Sequence, residues 1–202
     1  MKKAVRPTLF AVLIPAVLIS PQSLSSQETS RSDRYYAGVL ATAFNHRSVG
    51  AQTKESAWGT GGTLIVGSHI TDRFHTELRA GTGATDADVS GTDLSLGIDY
   101  FASWYMGLHY PVSESANLYG QVGFSYVQGS ATLDNPSAPV NAQFHALAEE
   151  FPDSNFSISW LAGLDFEFMD NTYLVLEGGR LFKDTGTDIN SFQFSGGLRY
   201  EF

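Results

Sequence analysis

One stretch of the 202-residue chain restricts its fold more than any other: "DLSLGIDYFASWYMGLHY", residues 93–110. Leu94, Leu96, Ile98, Tyr100, Ala102, Trp104, Met106, Leu108 and Tyr110 share one face of an extended chain. Asp93, Ser95, Gly97, Asp99, Phe101, Ser103, Tyr105, Gly107 and His109 share the other. Strands in globular sheets run to about 5–6 residues. A strand that crosses a bilayer needs roughly 9–11 and can extend past the hydrocarbon. Alternation over eighteen residues therefore favours a membrane-crossing strand.

The pattern recurs. "NLYGQVGFSYV" sets Leu118, Val122, Phe124 and Tyr126 against Tyr119, Gln121, Gly123 and Ser125. "FSISWLAGLDFEF" sets Trp160, Leu164, Phe166 and Phe168 against Ser159, Gly163, Asp165 and Glu167. "SFQFSGGLRYEF" sets Phe192, Phe194, Leu198, Tyr200 and Phe202 against Gln193, Ser195, Arg199 and Glu201. Eight strands are expected, at 35–44, 58–70, 73–83, 93–110, 117–130, 155–168, 172–182 and 190–202. The connections at 71–72, 111–115 and 169–171 are short and rich in turn formers. Those at 45–57, 84–92, 131–154 and 183–189 are longer. Short turns at one end and long loops at the other are the habit of outer-membrane barrels.

Polarity gives the sheet its sense. If the apolar faces pointed inward, Trp104, Trp160 and many Phe and Tyr would overfill an eight-stranded interior. The inverse arrangement puts small and polar residues in the lumen and aromatics against lipid. The expected fold is therefore an all-β, eight-stranded antiparallel transmembrane up-and-down β-barrel. Tyr110, Phe168, Tyr200 and Phe202, near strand ends, suit an interfacial girdle.

Residues 1–25 read as a signal peptide, with Lys2, Lys3 and Arg6 ahead of an apolar run from Leu9 to Ile19. The barrel domain then spans 26–202, and export through the periplasm to the outer membrane is expected. Cleavage lowers Lys and Arg from 12 to 9 against 21 Asp and Glu, a net charge of −12. A nucleic-acid partner needs the opposite balance. With no Cys, the chain has no disulfide and no acylation site of a lipoprotein.

Eight amphipathic strands, the signal segment and the closing "LRYEF" resemble the small outer-membrane β-barrel family related to the OmpA barrel and OmpX. The resemblance implies a Gram-negative outer-membrane protein, monomeric, in contact with outer-membrane lipid and lipopolysaccharide. It implies that Leu198, Tyr200 and Phe202 form the signal read by the barrel-assembly machinery. A peptidoglycan-binding domain is expected to be absent. The function it suggests is structural or adhesion-like, without an open pore, with long loops available to an extracellular partner. Catalytic precedents of the architecture are lipid A-modifying enzymes, one of which uses His, Ser and an acid on the outside of the barrel. A narrow channel or small-ligand carrier is a further alternative.

No catalytic, cofactor or metal site stands out. The expected luminal charge network is Glu77, Arg79, Asp99, Asp165, Glu167, Glu177, Arg199 and Glu201, with His75 and His109 also inward. Such groups must pair, because an unpaired ion in a dry interior is expensive. Glu77, Glu167 or Glu201 are the expected partners of Arg79 and Arg199. His46 and Ser48 fall on one face but lack an acidic orienter. Asp86, Asp88 and Ser90 are spaced like a calcium loop, yet Gly97 stands where its closing Glu belongs, so a solvated acidic loop is expected. Val140, Phe144, Leu147 and Phe151 recur at helical spacing and suggest a short amphipathic helix that caps the barrel mouth; His145 and Glu149 on it do not make a metal site. Arg180 falls on the lipid side, at a cost of about 2–4 kcal/mol at midplane and much less near the interface. Either it reaches toward phosphates near Lys183, or a bulge at Gly178 and Gly179 re-aims it.

Overall fold

A computed structural model describes residues 31–47 and 56–202. The expected signal segment and Ser48 lie outside these residues. The long strands are β1 (Tyr35–Arg47), β2 (Ser56–His69), β3 (Phe74–Thr85), β5 (Leu94–Pro111), β6 (Ala116–Leu133), β7 (Phe156–Met169), β8 (Thr172–Lys183) and β9 (Asn190–Glu201). The two-residue β4 (Ala87–Asp88) continues β3 past Asp86, so the barrel has eight staves. Each pairs antiparallel with its sequence neighbour, and β9 returns to β1 from Tyr36↔Glu201 to Arg47↔Asn190. At the seam Tyr35 and Phe202 exchange both backbone hydrogen bonds, at 3.1 and 2.8 Å. The result is a closed up-and-down barrel, which leaves no sheet edge.

The turns follow from local chemistry. Asn171 takes φ 57° in the two-residue link between β7 and β8, a conformation that Asn tolerates. Gly91, at φ 79°, serves the turn between β4 and β5. The expected loop at 84–92 is strand in its first half, since β3 runs to Thr85 and Ala87 and Asp88 still pair with Leu96 and Ser95.

Alternation places the faces as expected over most of the chain. Val39, Leu64, Leu78, Trp104, Leu108, Val122 and Ile158 are exposed on the outer wall. The exception lies in the segment that most strongly marks the fold. The register of β5 slips between Ile98 and Tyr100, leaving Asp99 as the extra residue of a bulge. One extra residue reverses the alternation, so Leu94, Leu96 and Ile98 are buried inside instead of facing out. Asp99 correspondingly leaves the lumen: it is exposed, with its carboxylate accepting from Ser130 Oγ at 3.1 Å.

Two inward tyrosines show how the interior is fitted. Tyr36 lies opposite Gly67, and Tyr119 opposite Gly163. A Cβ at either glycine would collide with the facing ring. The missing side chains make room for large ones in a lumen of side-chain width.

The loop end is apolar inside. Ala57, Val89, Leu94, Leu96 and Ile189 form a cluster with Phe144, Leu147 and Phe151 from the β6–β7 connection. That connection contains a 3-10 turn, Pro139–Phe144, and one helix, α1 (His145–Glu150). It covers the mouth with three of the four residues that the helical spacing singles out; the side chain of the fourth, Val140, lies outside those described. Below it, Phe44, Ile98, Phe101, Val127, Leu181 and Phe182 form a second apolar layer.

Deleting Asp99 should remove the extra residue and let Ile98 alternate directly with Tyr100, so that Leu94, Leu96 and Ile98 stay inside and the folded, fast-migrating gel band persists to about the same temperature. Leu96→Ser should lower that temperature clearly, because burial of such a side chain contributes about 1.5–3 kcal/mol. A large loss of stability on deleting Asp99 would mean that it is not the residue that sets the sense of this segment.

Candidate functional site: a filled lumen

The turn-end half of the lumen holds a desolvated ion network. Arg79, from β3, donates through Nε to Glu77 Oε1 at 2.5 Å and through Nη2 to Gln121 Oε1 at 3.1 Å. It spans the barrel to Glu177 of β8, where Nη2 meets Oε2 at 2.9 Å and Nη1 meets Oε1. Tyr119 donates its hydroxyl to the same Glu177 carboxylate at 2.7 Å. Arg79 also lies over the Tyr105 ring, 5.3 Å from its centroid.

A second centre lies nearer the turns. Arg199 Nη2 donates to Asp165 Oδ2 at 2.7 Å and to Glu201 Oε1 at 3.2 Å. The guanidinium is sandwiched between Tyr36 and Tyr173, 5.0 Å from each ring centroid. Asn117 donates to Asp165 at 2.6 Å, and Arg31 reaches Glu201 from ahead of β1. Three guanidinium groups thus face four carboxylates, all shielded from solvent except Arg31, which is partly exposed at the rim. This fits the rule that buried charge survives only when paired and hydrogen-bonded.

Between the two centres three imidazoles pack together, His75 and His109 at 4.1 Å between centroids and His69 and His109 at 5.1 Å. His69 meets Glu201 at 3.1 Å and His75 meets Gln121 at 2.7 Å. His109 Nε2 lies 3.4 Å from Asp165 without hydrogen-bond geometry. Among the described residues no group of His, Asp and Glu has the arrangement of a metal site.

Glu77, Arg79, Asp165, Glu177, Arg199 and Glu201 come together as one luminal system. Glu167 does not join either arginine. It sits half-buried at the rim, where its carboxylate accepts from the Asn171 N–H at 2.9 Å and fixes the β7–β8 turn. Alternation assigned its side correctly but could not assign its depth. The reading also missed Arg31, which precedes the first strand and so carries no alternation signal. His69 could have been found, since it lies in the expected strand 58–70 on the face of Ile65 and Gly67.

The remaining candidates resolve into structure. His46 points inside, bonded through Nδ1 to Ser191 Oγ at 2.8 Å and edge-on to Phe151. Asp88 accepts from Ser95 Oγ at 2.7 Å across the β4–β5 ladder, and Asp86 is exposed. His145 Nε2 contacts the Pro136 carbonyl at 2.9 Å. Leu198, Tyr200 and Phe202 line the outer wall down to the turn end, and the Phe202 ring stacks with Tyr35 and Tyr200. Arg180 stays on the outer face opposite Trp160 and Phe192. The bulge in β8 falls after it, so Leu181 and Phe182 both turn inward, and Gly178 and Gly179 keep regular register.

With closure, outward aromatics and a polar lumen in place, the comparison with known families is direct. The model for the outer membrane protein beta-barrel domain matches residues 10–202. The chain belongs to the outer-membrane β-barrel family. That membership places it in the outer membrane. Solved structures share the fold at low identity. Ail, the attachment invasion locus protein of Yersinia pestis, aligns with TM-score 0.53 and 12% identity over 85% of this chain and 99% of its own. Neisserial surface protein A aligns at 0.52 and 17%, covering 83% and 97%. OprG of Pseudomonas aeruginosa aligns at 0.51 and 13%, covering 87% and 98%. A search of curated protein sequences finds no match.

Replacing Arg79 with Met leaves Glu77 and Glu177 buried without their cation. Breaking such a pair costs about 3–5 kcal/mol, readable by urea unfolding in lipid vesicles followed by Trp fluorescence. Adding Glu177→Gln should recover part of the loss. A single-variant cost below about 1 kcal/mol would mean that solvent reaches these groups.

Proposed function

We propose that this protein is a monomeric, non-enzymatic barrel of a Gram-negative outer membrane, exported with a cleaved signal, that conducts no steady current. Its role is structural and surface-interactive. The observation that carries this reading is the double closure of the lumen. The arginine–carboxylate network spans the turn-end half, and Phe144, Leu147 and Phe151 seat the β6–β7 connection in the loop end. The loop end is left as the surface that a partner meets. It exposes Asp86, Asp88, Asp93, Asp99, Asp134, Glu149, Asp153 and Asp188, which favours a cationic partner over a polyanionic one. Ail is an attachment protein by its printed name, and its likeness here extends to the fold.

A lipid-modifying enzyme with a His base on its outer wall is the less supported reading. Of the five His, His46, His69, His75 and His109 are buried inside, and His145 lies in the capping connection.

In planar bilayers the purified protein should show no stable single-channel steps. Reproducible ohmic steps would overturn the closed-lumen reading. For biogenesis we propose that the barrel-assembly machinery engages the outer face that ends in Leu198, Tyr200 and Phe202. Phe202→Ser should then reduce the heat-modifiable fraction recovered from membranes several-fold, whereas Phe168→Ser, at the same rim on β7, should not.

A further inference from the structure

The outer wall of β7, β8, β9 and β1 carries a groove of about 650 Å³. Its floor is nearly bare backbone. Ala162 and Gly178 are direct cross-strand partners facing outward, and Gly196 follows on β9 beside Leu176. Trp160, Leu164, Leu176, Phe192 and Phe194 form its sides. Phe194 leans over Gly178, where an added Cβ would come within 2.9 Å of the ring.

Cations gather at the loop end of this groove. Arg47 lines it and lies over the Phe192 ring at 4.6 Å. Arg180 occupies the same face, opposite both Trp160 and Phe192. Lys183 ends β8 opposite Asn190, which is also the partner of Arg47. These three are the only described cations on the outer wall toward the loops. Arg79 and Arg199 are luminal, and Arg31, Arg34 and Arg73 lie at the turn end. None of the three forms an ion pair with a carboxylate among the described residues, and Arg180 Nε is shielded from solvent without any hydrogen-bond partner.

Like charges gathered on one patch repel, and a shielded guanidinium nitrogen without an acceptor is unfavourable. Among the described residues the carboxylates of this rim project from the loops and turns rather than from this wall, so an anion supplied from outside the chain answers both. The groove directly below is apolar and open to the bilayer. We infer that this face is a specific seat for a phosphorylated lipid of the outer leaflet, with an acyl chain in the groove and the phosphate between Arg47, Arg180 and Lys183. Guanidinium groups suit phosphate because they donate in pairs. The inference rests on the membrane placement proposed above, with the long loops external.

The test is native mass spectrometry of the detergent-solubilised full chain with diphosphoryl lipid A and with the same lipid stripped of its phosphates. The wild type should retain the phosphorylated form at least tenfold better. The triple variant Arg47→Gln, Arg180→Gln and Lys183→Gln should lose that preference. Arg34→Gln with Arg73→Gln, at the turn end, should keep it. Ala162→Phe, which fills the groove, should weaken both lipids and leave the preference for phosphate. Arg47→Gln alone, at an exposed side chain, should cut retention several-fold, which keeps the test decisive if the triple variant fails to fold. Equal retention of the two lipids by the wild type, or an undiminished preference in the Arg47 and triple variants, would overturn the seat. Neither result would touch the closed-lumen reading, which stands on conductance.

Discussion

Everything in this molecule depends on the two hydrogen bonds between Tyr35 and Phe202 and the ladder they end. In hydrocarbon no water satisfies a free N–H or C=O, so the first and last strands must find each other. The β1–β9 register runs unbroken over twelve residue pairs. Closure with eight staves then fixes the circumference, and the circumference fixes what fits inside. Side chains fill such a lumen, and they fill it only if large residues face small ones. That is why Tyr36 opposes Gly67 and Tyr119 opposes Gly163. Glycine weakens a strand, and here the loss is offset by an inward ring whose hydroxyl or π-face serves the ion network.

The interior is divided by depth. Near the short turns, few residues are available to cover the lumen, and the opening is closed by charge. Arg79 ties β3 to β8 across the barrel, and Arg199 ties β9 to β7. Such pairs contribute little net stability once desolvation is counted. Their geometry instead fixes which strand stands opposite which, since a slip of one residue would turn each charge toward lipid. Near the long loops, the chain can supply its own apolar lid. Phe144, Leu147 and Phe151 descend on residues that the Asp99 bulge has turned inward. The bulge and the lid are thus one device, because without the reversal the lid would meet Ser95 and Gly97.

The number of staves, their direction and the sense of the barrel were legible because alternation is a local property with period two. The lid was legible for the same reason at period 3.6. What escaped the sequence was non-local or one residue wide. Nothing in "GIDYF" distinguishes a bulge at Asp99 from continued alternation, since both leave an aromatic outside. The pair Gly178 and Gly179 invited a bulge, yet the slip falls beyond Arg180, where both Leu181 and Phe182 gain a place in the loop-end core. Alternation also gives the side of a residue without its azimuth. Arg79 and Glu177 stand 98 residues apart on opposite walls, and only closure makes them partners. Glu167 and Glu177 share a face in their respective strands, but their depths assign one to a turn and the other to the network.

A barrel that needed only to sit in lipid would be satisfied by an outer wall uniform around its circumference. This one is not uniform. Its rim is acidic, while the described cations of its outer wall toward the loops are confined to β1 and β8, on either side of β9. Small outward residues occur elsewhere on the wall, as at Ala80 and Ala102, but in this sector Ala162, Gly178 and Gly196 adjoin and a groove opens over them. Two departures from the apolar pattern, one in charge and one in size, coincide in position although neither requires the other. Closure does not call for them, since the ladder is equally complete elsewhere, and the luminal network does not touch them. With the lumen filled, specificity can reside only on surfaces the fold leaves free. The coincidence of cations with a bare-backbone groove marks this sector as one shaped by what lies against it.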